Sequence, residues 1–141
     1  MSVLLVTGGS RGIGADVARL ASERGWHVGI NYTADEDSAQ NVASDVRDQG
    51  MKATVVRADI SKPDDVEKLF SRTAEELGQI TGVVNSAGIA TGIGPIEELD
   101  IEATHRMLEI NVFGLFLCCR AAVQRMAKRH GGQGGPIANI S

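Results

Sequence analysis

The 141 residues predict an α/β fold, a parallel sheet covered by helices on both faces. Two observations predict it. Short apolar runs alternate with stretches of helical period, and the first strand-to-helix turn is rich in glycine. Residues 3–6 (Val-Leu-Leu-Val) form a continuous apolar run, as expected of a strand buried on both faces. After the glycine turn comes a helix with Ile13, Val17, Leu20 and Ala21 on its apolar side, stopped at Gly25. Residues 26–30 read as the second strand. Residues 35–49 read as the second helix, with the stripe Ala39, Val42, Ala43 and Val46, ended by Gly50. Residues 53–56 are the third strand. Ser61 is expected to cap the third helix, with Pro63, Asp64 and Asp65 in its first turn. That helix buries Val66, Leu69, Phe70 and Leu77 and closes at Gly78. The fourth strand is expected at 80–84 and a loop at 88–95. A long helical pattern follows over 101–130, bent near Gly114. A glycine link at 131–135 leads to a fifth strand at 136–140. This alternation implies right-handed crossovers and a parallel sheet.

Composition narrows the class. Hydrophobic residues make up 43% and charged ones 23%, as expected for one globular domain over residues 1–141. The net charge of -4 and the lack of a basic stripe argue against nucleic acid as partner. No apolar run is expected to cross a bilayer, and residues 1–2 lead into the first strand without a signal peptide, so a cytoplasmic protein without membrane contact is expected. Cys118 and Cys119 are neighbours without metal-site spacing and are expected as small buried or half-buried thiols, with no metal bound. His27, His105 and His130 are expected at the surface or at helix ends.

The glycine turn carries the chemistry. Thr7-Gly8-Gly9-Ser10-Arg11-Gly12-Ile13-Gly14 follows a predicted strand and opens a predicted helix. Gly8 permits a tight turn, while Gly12 and Gly14 let backbone and ligand approach closely. The helix N-terminus offers N–H groups and partial positive charge to a phosphate, and Ser10 and Arg11 add a hydroxyl and a cation. A turn made only for strand–helix packing is the competing reading. Taken alone, Asp59 could equally be a strand-end turn residue, Asn85 a tie between strands, and Asn111 a helix-kink residue with Gly114.

The spacing Thr-Gly-x-x-x-Gly-x-Gly resembles the short-chain dehydrogenase/reductase family, and further matches follow in order. Asp59-Ile60 resembles the pair that meets adenine, the carboxylate accepting from the amino group and the Ile60 N–H donating to the ring. Asn85-Ser86-Ala87-Gly88 resembles the Asn-Asn-Ala-Gly motif, with Ser86 replacing the second asparagine. Asn111 resembles the catalytic asparagine whose backbone carbonyl holds a water in the proton relay. Asn139-Ile140-Ser141 resembles the end of the fifth strand. The resemblance covers the whole chain. It implies a Rossmann-like, doubly wound sheet of strands 1 to 5 in the order 3-2-1-4-5, without the C-terminal strands. It also implies a cofactor site comprising Gly8, Ser10, Arg11, Gly12, Ile13, Asn31, Tyr32, Thr33, Asp59, Ile60, Asn85, Ala87, Gly88 and Ile140.

A carboxylate at the end of the second strand would select NAD. The chain has Asn31-Tyr32-Thr33 there, and Asp35 is expected to begin the next helix. Neutral side chains do not repel a phosphate and Arg11 can pair with one, so NADP(H) is expected over NAD(H). The long helix carries Leu108, Val112, Leu115, Phe116, Val123 and Met126, a stripe that core packing mostly explains. The resemblance adds a partner subunit on this helix, as homodimer or homotetramer.

The family's chemistry also needs a serine, a tyrosine and a lysine four residues after it. The single tyrosine is Tyr32, and no Tyr-x-x-x-Lys occurs in these residues. The expectation is an N-terminal, cofactor-binding part of a longer oxidoreductase acting on a carbonyl or alcohol. By itself it is expected to be inactive and, with its fifth strand unpaired, a poor monomer. The alternatives are a dinucleotide-binding fragment without turnover and a nucleotide-sensing regulator. Asn111 speaks against the regulator.

Overall fold

The computed structural model describes residues 1–92 and 94–141. At its centre lie five parallel strands in the order β3-β2-β1-β4-β5. They are β1 (Val3–Thr7), β2 (His27–Tyr32), β3 (Ala53–Arg57), β4 (Gly82–Asn85) and β5 (Ile137–Asn139). All five residues of β1 are buried, because the sheet is covered on both sides. Alternation along β1 divides the core in two. Leu4 and Val6 pack beneath α1 (Gly12–Glu23) and α2 (Glu36–Asp48), with Ala39, Val42, Ala43 and Val46 buried as expected. Val3 and Leu5 pack beneath α3 (Pro63–Leu77) and α5 (Leu115–Met126). The expected strand order and doubly wound architecture are observed.

Several local expectations are corrected. The second strand starts at His27 and runs through Tyr32, and the fourth is Gly82–Asn85, later than expected. His27 is buried, and its Nδ1 accepts from the Lys52 N–H at 2.9 Å, so it is a core residue of the sheet. The sheet-facing side of α1 is Ala15, Ala18 and Ser22, while Ile13 and Leu20 are exposed. The start of α1 sits so close to the glycine turn that a Cβ on Gly14 would lie 2.4 Å from the Gly8 carbonyl oxygen. Only small residues fit the interface that follows. Ser61 does not cap α3. Lys62 occupies the cap position without a side-chain bond, and the Ser61 hydroxyl points to Asp59 instead.

The long helical region is three pieces: α4 (Ile101–Leu108), a π-helical segment (Glu109–Gly114) and α5. The expected bend near Gly114 is therefore a change of winding. It also changes which side chains meet the sheet. Leu117, Cys118, Ala121, Ala122 and Met126 are buried, whereas Leu108, Val112 and Phe116, expected mostly in the core, are exposed. A helix apolar on several sides does not announce its buried face. Residues Ile101–Met126 are also long and apolar enough, by length and composition alone, to cross a membrane, which corrects the expectation that no run is. Here one side of the stretch forms a layer of the α/β core. Burial pushes the Cys118 thiol up to about 12, so it stays protonated and packs as a small apolar group. The loop expected at 88–95 is irregular over its described residues, and residue 93 lies outside them.

Candidate functional site

The site forms where strand ends of the sheet meet their following turns. Gly8 has φ +62°, and Gly12 has φ +56°. Two polar side chains hold the turn. Thr7, buried at the end of β1, accepts at Oγ1 from the N–H groups of Ser86 at 3.1 Å and Ala87 at 3.2 Å. It locks the turn after β1 to the turn after β4. Asn31 accepts at Oδ1 from the Gly8 N–H at 3.1 Å, and its backbone carbonyl accepts from the Gly9 N–H at 3.0 Å. Its amide nitrogen donates to the Ala58 carbonyl at 3.0 Å and is shared with those of Tyr32 and Val56. Asn31 is 1% exposed, so its side chain shapes the cradle and is fully used inside the protein. The sequence assigned it to the ribose end and placed Thr7 in the glycine motif without a role for its side chain. The available signal was a short polar residue closing an apolar strand.

These turns enclose a cleft of about 340 Å³. One wall is Gly8, Ser10, Arg11, Gly12 and Ile13. Asn31, Tyr32 and Thr33 close one end, Asp59 and Ile60 form the floor towards β3, and Ala87, Gly88 and Ile140 complete the other end. A Cβ on Gly12 would meet no atom within 4 Å, so the bare backbone at the start of α1 is open to a ligand. Arg11 occupies the cap position of α1 without a side-chain cap bond. The first-turn N–H groups and the positive helix end are thus left for an anion, and the cradle suits a pyrophosphate.

At the end beyond β2, Asp35 also lines the cleft, but both its oxygens cap α2. Oδ1 accepts from the Ser38 N–H at 3.0 Å and Oδ2 from the Ser38 hydroxyl at 2.6 Å. Those bonds hold its carboxyl below the usual range. Arg57, which sequence reasoning passed over, donates from Nε to the Thr33 carbonyl at 2.9 Å. An exposed guanidinium therefore stands beside the uncharged end of β2.

At the floor, Asp59 Oδ1 accepts from the Ser61 N–H at 3.0 Å and hydroxyl at 2.7 Å, while Oδ2 pairs with Arg106 at 2.6 Å. Burial pushes its pKa up, but the bonds from Ser61 and Arg106 outweigh that and hold it below the usual carboxylate range. With a lowered folded-state pKa, this carboxylate contributes stability that is fully present above its unfolded value. That stability is lost as pH falls through the lowered value. Asp59→Asn is therefore expected to lose less stability than the wild type between pH 7 and pH 3 in urea unfolding. An unchanged acid-side loss would refute the pairing.

Two expected site residues stand outside the cleft lining. Asn85, expected to bind cofactor, is buried and donates from Nδ2 to Asn139 Oδ1 at 2.9 Å, tying β4 to β5. Its Oδ1 has no partner among the described residues. The side chain points into the sheet, and it makes the tie between strands that the sequence also allowed. Asn111 lies in the π-helical segment, where Oδ1 accepts from the Ile89 N–H at 2.8 Å and Nδ2 donates to the Ile89 carbonyl at 2.7 Å. This two-bond clamp positions the loop after β4 from behind.

Comparison with known proteins agrees with this geometry. The short chain dehydrogenase family model matches residues 2–141. An uncharacterized oxidoreductase of Escherichia coli is 43% identical over 100% of this chain and 57% of its own length. Cis-4-hydroxycyclohexanecarboxylate dehydrogenase of Sinomonas cyclohexanicum is 40% identical over 99% of this chain and 54% of its own. A short-chain dehydrogenase/reductase structure from Serratia marcescens superposes with a TM-score of 0.88 at 36% identity, over 99% of this chain and 55% of that one. The chain thus spans about half the length of the relatives it matches.

Proposed function

The chain belongs to the short-chain dehydrogenase family, and from that premise we propose that it supplies the cofactor-binding half of an NADP(H)-dependent oxidoreductase. The whole enzyme would act on a small carbonyl or alcohol substrate, the nicotinamide supplying or accepting a hydride. The observation that carries this is the cleft itself. An uncapped helix start, open backbone at Gly12 and a carboxylate at Asp59 converge at the strand ends, where open α/β sheets bind ligands. Ser10 and Ile13 would hold the pyrophosphate, Arg11 the 2′-phosphate, and Asp59 and Ile60 the adenine.

The preference for the phosphorylated cofactor rests on charge. The carboxylate that lines the cleft beyond β2, Asp35, has both oxygens on Ser38. Arg11 lines the cleft, and Arg57 is anchored beside Thr33. A guanidinium pairing a phosphate is a charge-assisted contact, strong in a partly enclosed site. Arg11→Ala is expected to weaken NADPH binding about tenfold while changing NADH binding less than about twofold, by calorimetric titration. Equal losses for both cofactors would remove Arg11 from phosphate recognition. Tighter binding of NADH by the wild type would overturn the preference itself.

A second reading is a dinucleotide-binding fragment without turnover. Its motivation is that the single tyrosine, Tyr32, lies at the cofactor end of the cleft. NADPH oxidation with a panel of ketones by residues 1–141 tests this reading, since measurable turnover sinks it. The proposal includes a cytoplasmic homodimer or homotetramer, for which the exposed Val112, Phe113 and Phe116 offer an apolar face.

A further inference from the structure

The dinucleotide reading leaves one feature unexplained, a fork of bonds from α4 onto the floor of the cleft. Arg106 is 47 residues from Asp59 in sequence. Its Nη2 donates to Asp59 Oδ2 at 2.6 Å and its Nη1 to the Ser61 hydroxyl at 2.7 Å. Ser61 closes the ring by donating its hydroxyl to Asp59 Oδ1 at 2.7 Å, and its N–H joins the same oxygen. Glu109 Oε2 accepts from the same Nη1 at 3.3 Å.

Counting acceptor positions shows what this does. A carboxylate offers about four lone-pair sites, two on each oxygen. Ser61 occupies both sites on Oδ1, and Arg106 occupies one on Oδ2. One site remains, on an oxygen whose orientation is set from two sides. The neighbouring floor residue is fixed by the same helical region. A Cβ on Gly114 would lie 2.8 Å from Ile60 Cγ1 and 3.1 Å from its carbonyl oxygen, so the helix is pressed against Ile60.

We infer that Arg106 is the positioning residue of the adenine pocket, holding Asp59 so that its last acceptor site selects a base bearing an exocyclic amino group. This rests on the dinucleotide reading above. Arg106 acts through Asp59 and need not touch the cofactor. A planar, always-charged fork suits the task, because two parallel donors fix both the carboxylate and the serine, which a lysine point charge cannot. The π-helical segment that follows carries Asn111 onto the Ile89 backbone, so one helical region braces the turns after both β3 and β4.

The test compares NADPH with reduced nicotinamide hypoxanthine dinucleotide phosphate, which lacks the amino group, by calorimetric titration of the full chain. The wild type is expected to favour NADPH by about five- to tenfold, the worth of one well-placed hydrogen bond. Arg106→Met should reduce that ratio to below about twofold, and Arg106→Lys should restore part of it. In an Asp59→Asn background the Arg106→Met change should leave the ratio unmoved, because the two act as one unit. A merely structural role would weaken both ligands equally and keep the ratio, and that result overturns the inference. If Arg106→Met does not fold, the ratio in Arg106→Lys decides, and a wild-type ratio there overturns it. Failure of the wild type to bind either dinucleotide would overturn the cofactor reading and this inference together. Binding of both with an unmoved ratio would overturn this inference alone.

Discussion

Gly8→Ala is expected to abolish dinucleotide binding and to lower the melting midpoint by about 10 °C. Two costs combine. Gly8 has φ +62°, which costs an alanine about 1–2 kcal/mol. The added Cβ would also lie 2.6 Å from Ala87 Cα and 2.8 Å from Ala87 N, both backbone atoms that cannot swing aside. Relief requires separating the turn after β1 from the turn after β4, which breaks the bonds from Ser86 and Ala87 to Thr7. The combined loss is on the order of 3 kcal/mol. Gly12→Ala is the informative contrast. Its φ of +56° carries the same backbone cost, but its Cβ would meet nothing within 4 Å. It should lose only about 1–2 kcal/mol of stability, yet bind cofactor weakly because the methyl group projects into open cleft. Differential scanning calorimetry and NADPH titration check both. Wild-type affinity in Gly8→Ala would refute the close approach as the feature that shapes the cradle.

Asn31→Asp is expected to unfold the nucleotide cradle rather than convert the site to NAD. From the sequence, a carboxylate at the end of the second strand is the obvious way to repel a 2′-phosphate. Asn31, however, is 1% exposed, and its amide nitrogen faces the carbonyls of Tyr32, Val56 and Ala58. A carboxylate there would set negative oxygen against carbonyl oxygen without solvent, a cost of about 3–5 kcal/mol. Chemical denaturation should show that loss directly. Thr33→Asp is expected to achieve the switch, because Thr33 is exposed and lines the cleft. It should raise the Kd for NADPH by at least about tenfold and leave the NADH value within about threefold. A stable Asn31→Asp variant with inverted preference would show that this side chain reaches the cofactor after all.

Much of this site was legible because its physics is local. Glycine spacing reports turn geometry, a helix start reports an anion site, and strand-end positions report the rim of a parallel sheet. Each depends on residues a few positions apart. Gly8 and Gly12 could therefore be placed on the cleft from their spacing, while Asp59, Ala87 and Gly88 followed from the family resemblance. The errors share a different cause. Ser61 looked like a helix cap because only its neighbours in sequence were visible, whereas its hydroxyl serves Asp59 and Arg106. For Asn85 the sequence left a strand tie and a ligand contact open, and the parallel pairing of β4 with β5 turns its amide towards Asn139. The apolar residues of α4 and α5 could not be divided into core and surface, because the π-helical segment changes the phase of the stripe without an obvious mark in composition.

By itself the sequence determined the α/β class, the alternation of strands and helices and the place of the glycine turn, while the strand order followed from the family resemblance. Alternating apolar periods and backbone-permissive residues act over short distances, and no tertiary contact was needed to read them. The tertiary structure alone decided who holds the turn and who aims the floor. Thr7 reaches Ala87 across 80 residues, Asn31 reaches Ala58 across 27, and Arg106 reaches Asp59 across 47. Buried polar groups must find partners, and which partners lie within reach is fixed only when the sheet and its helices close around them.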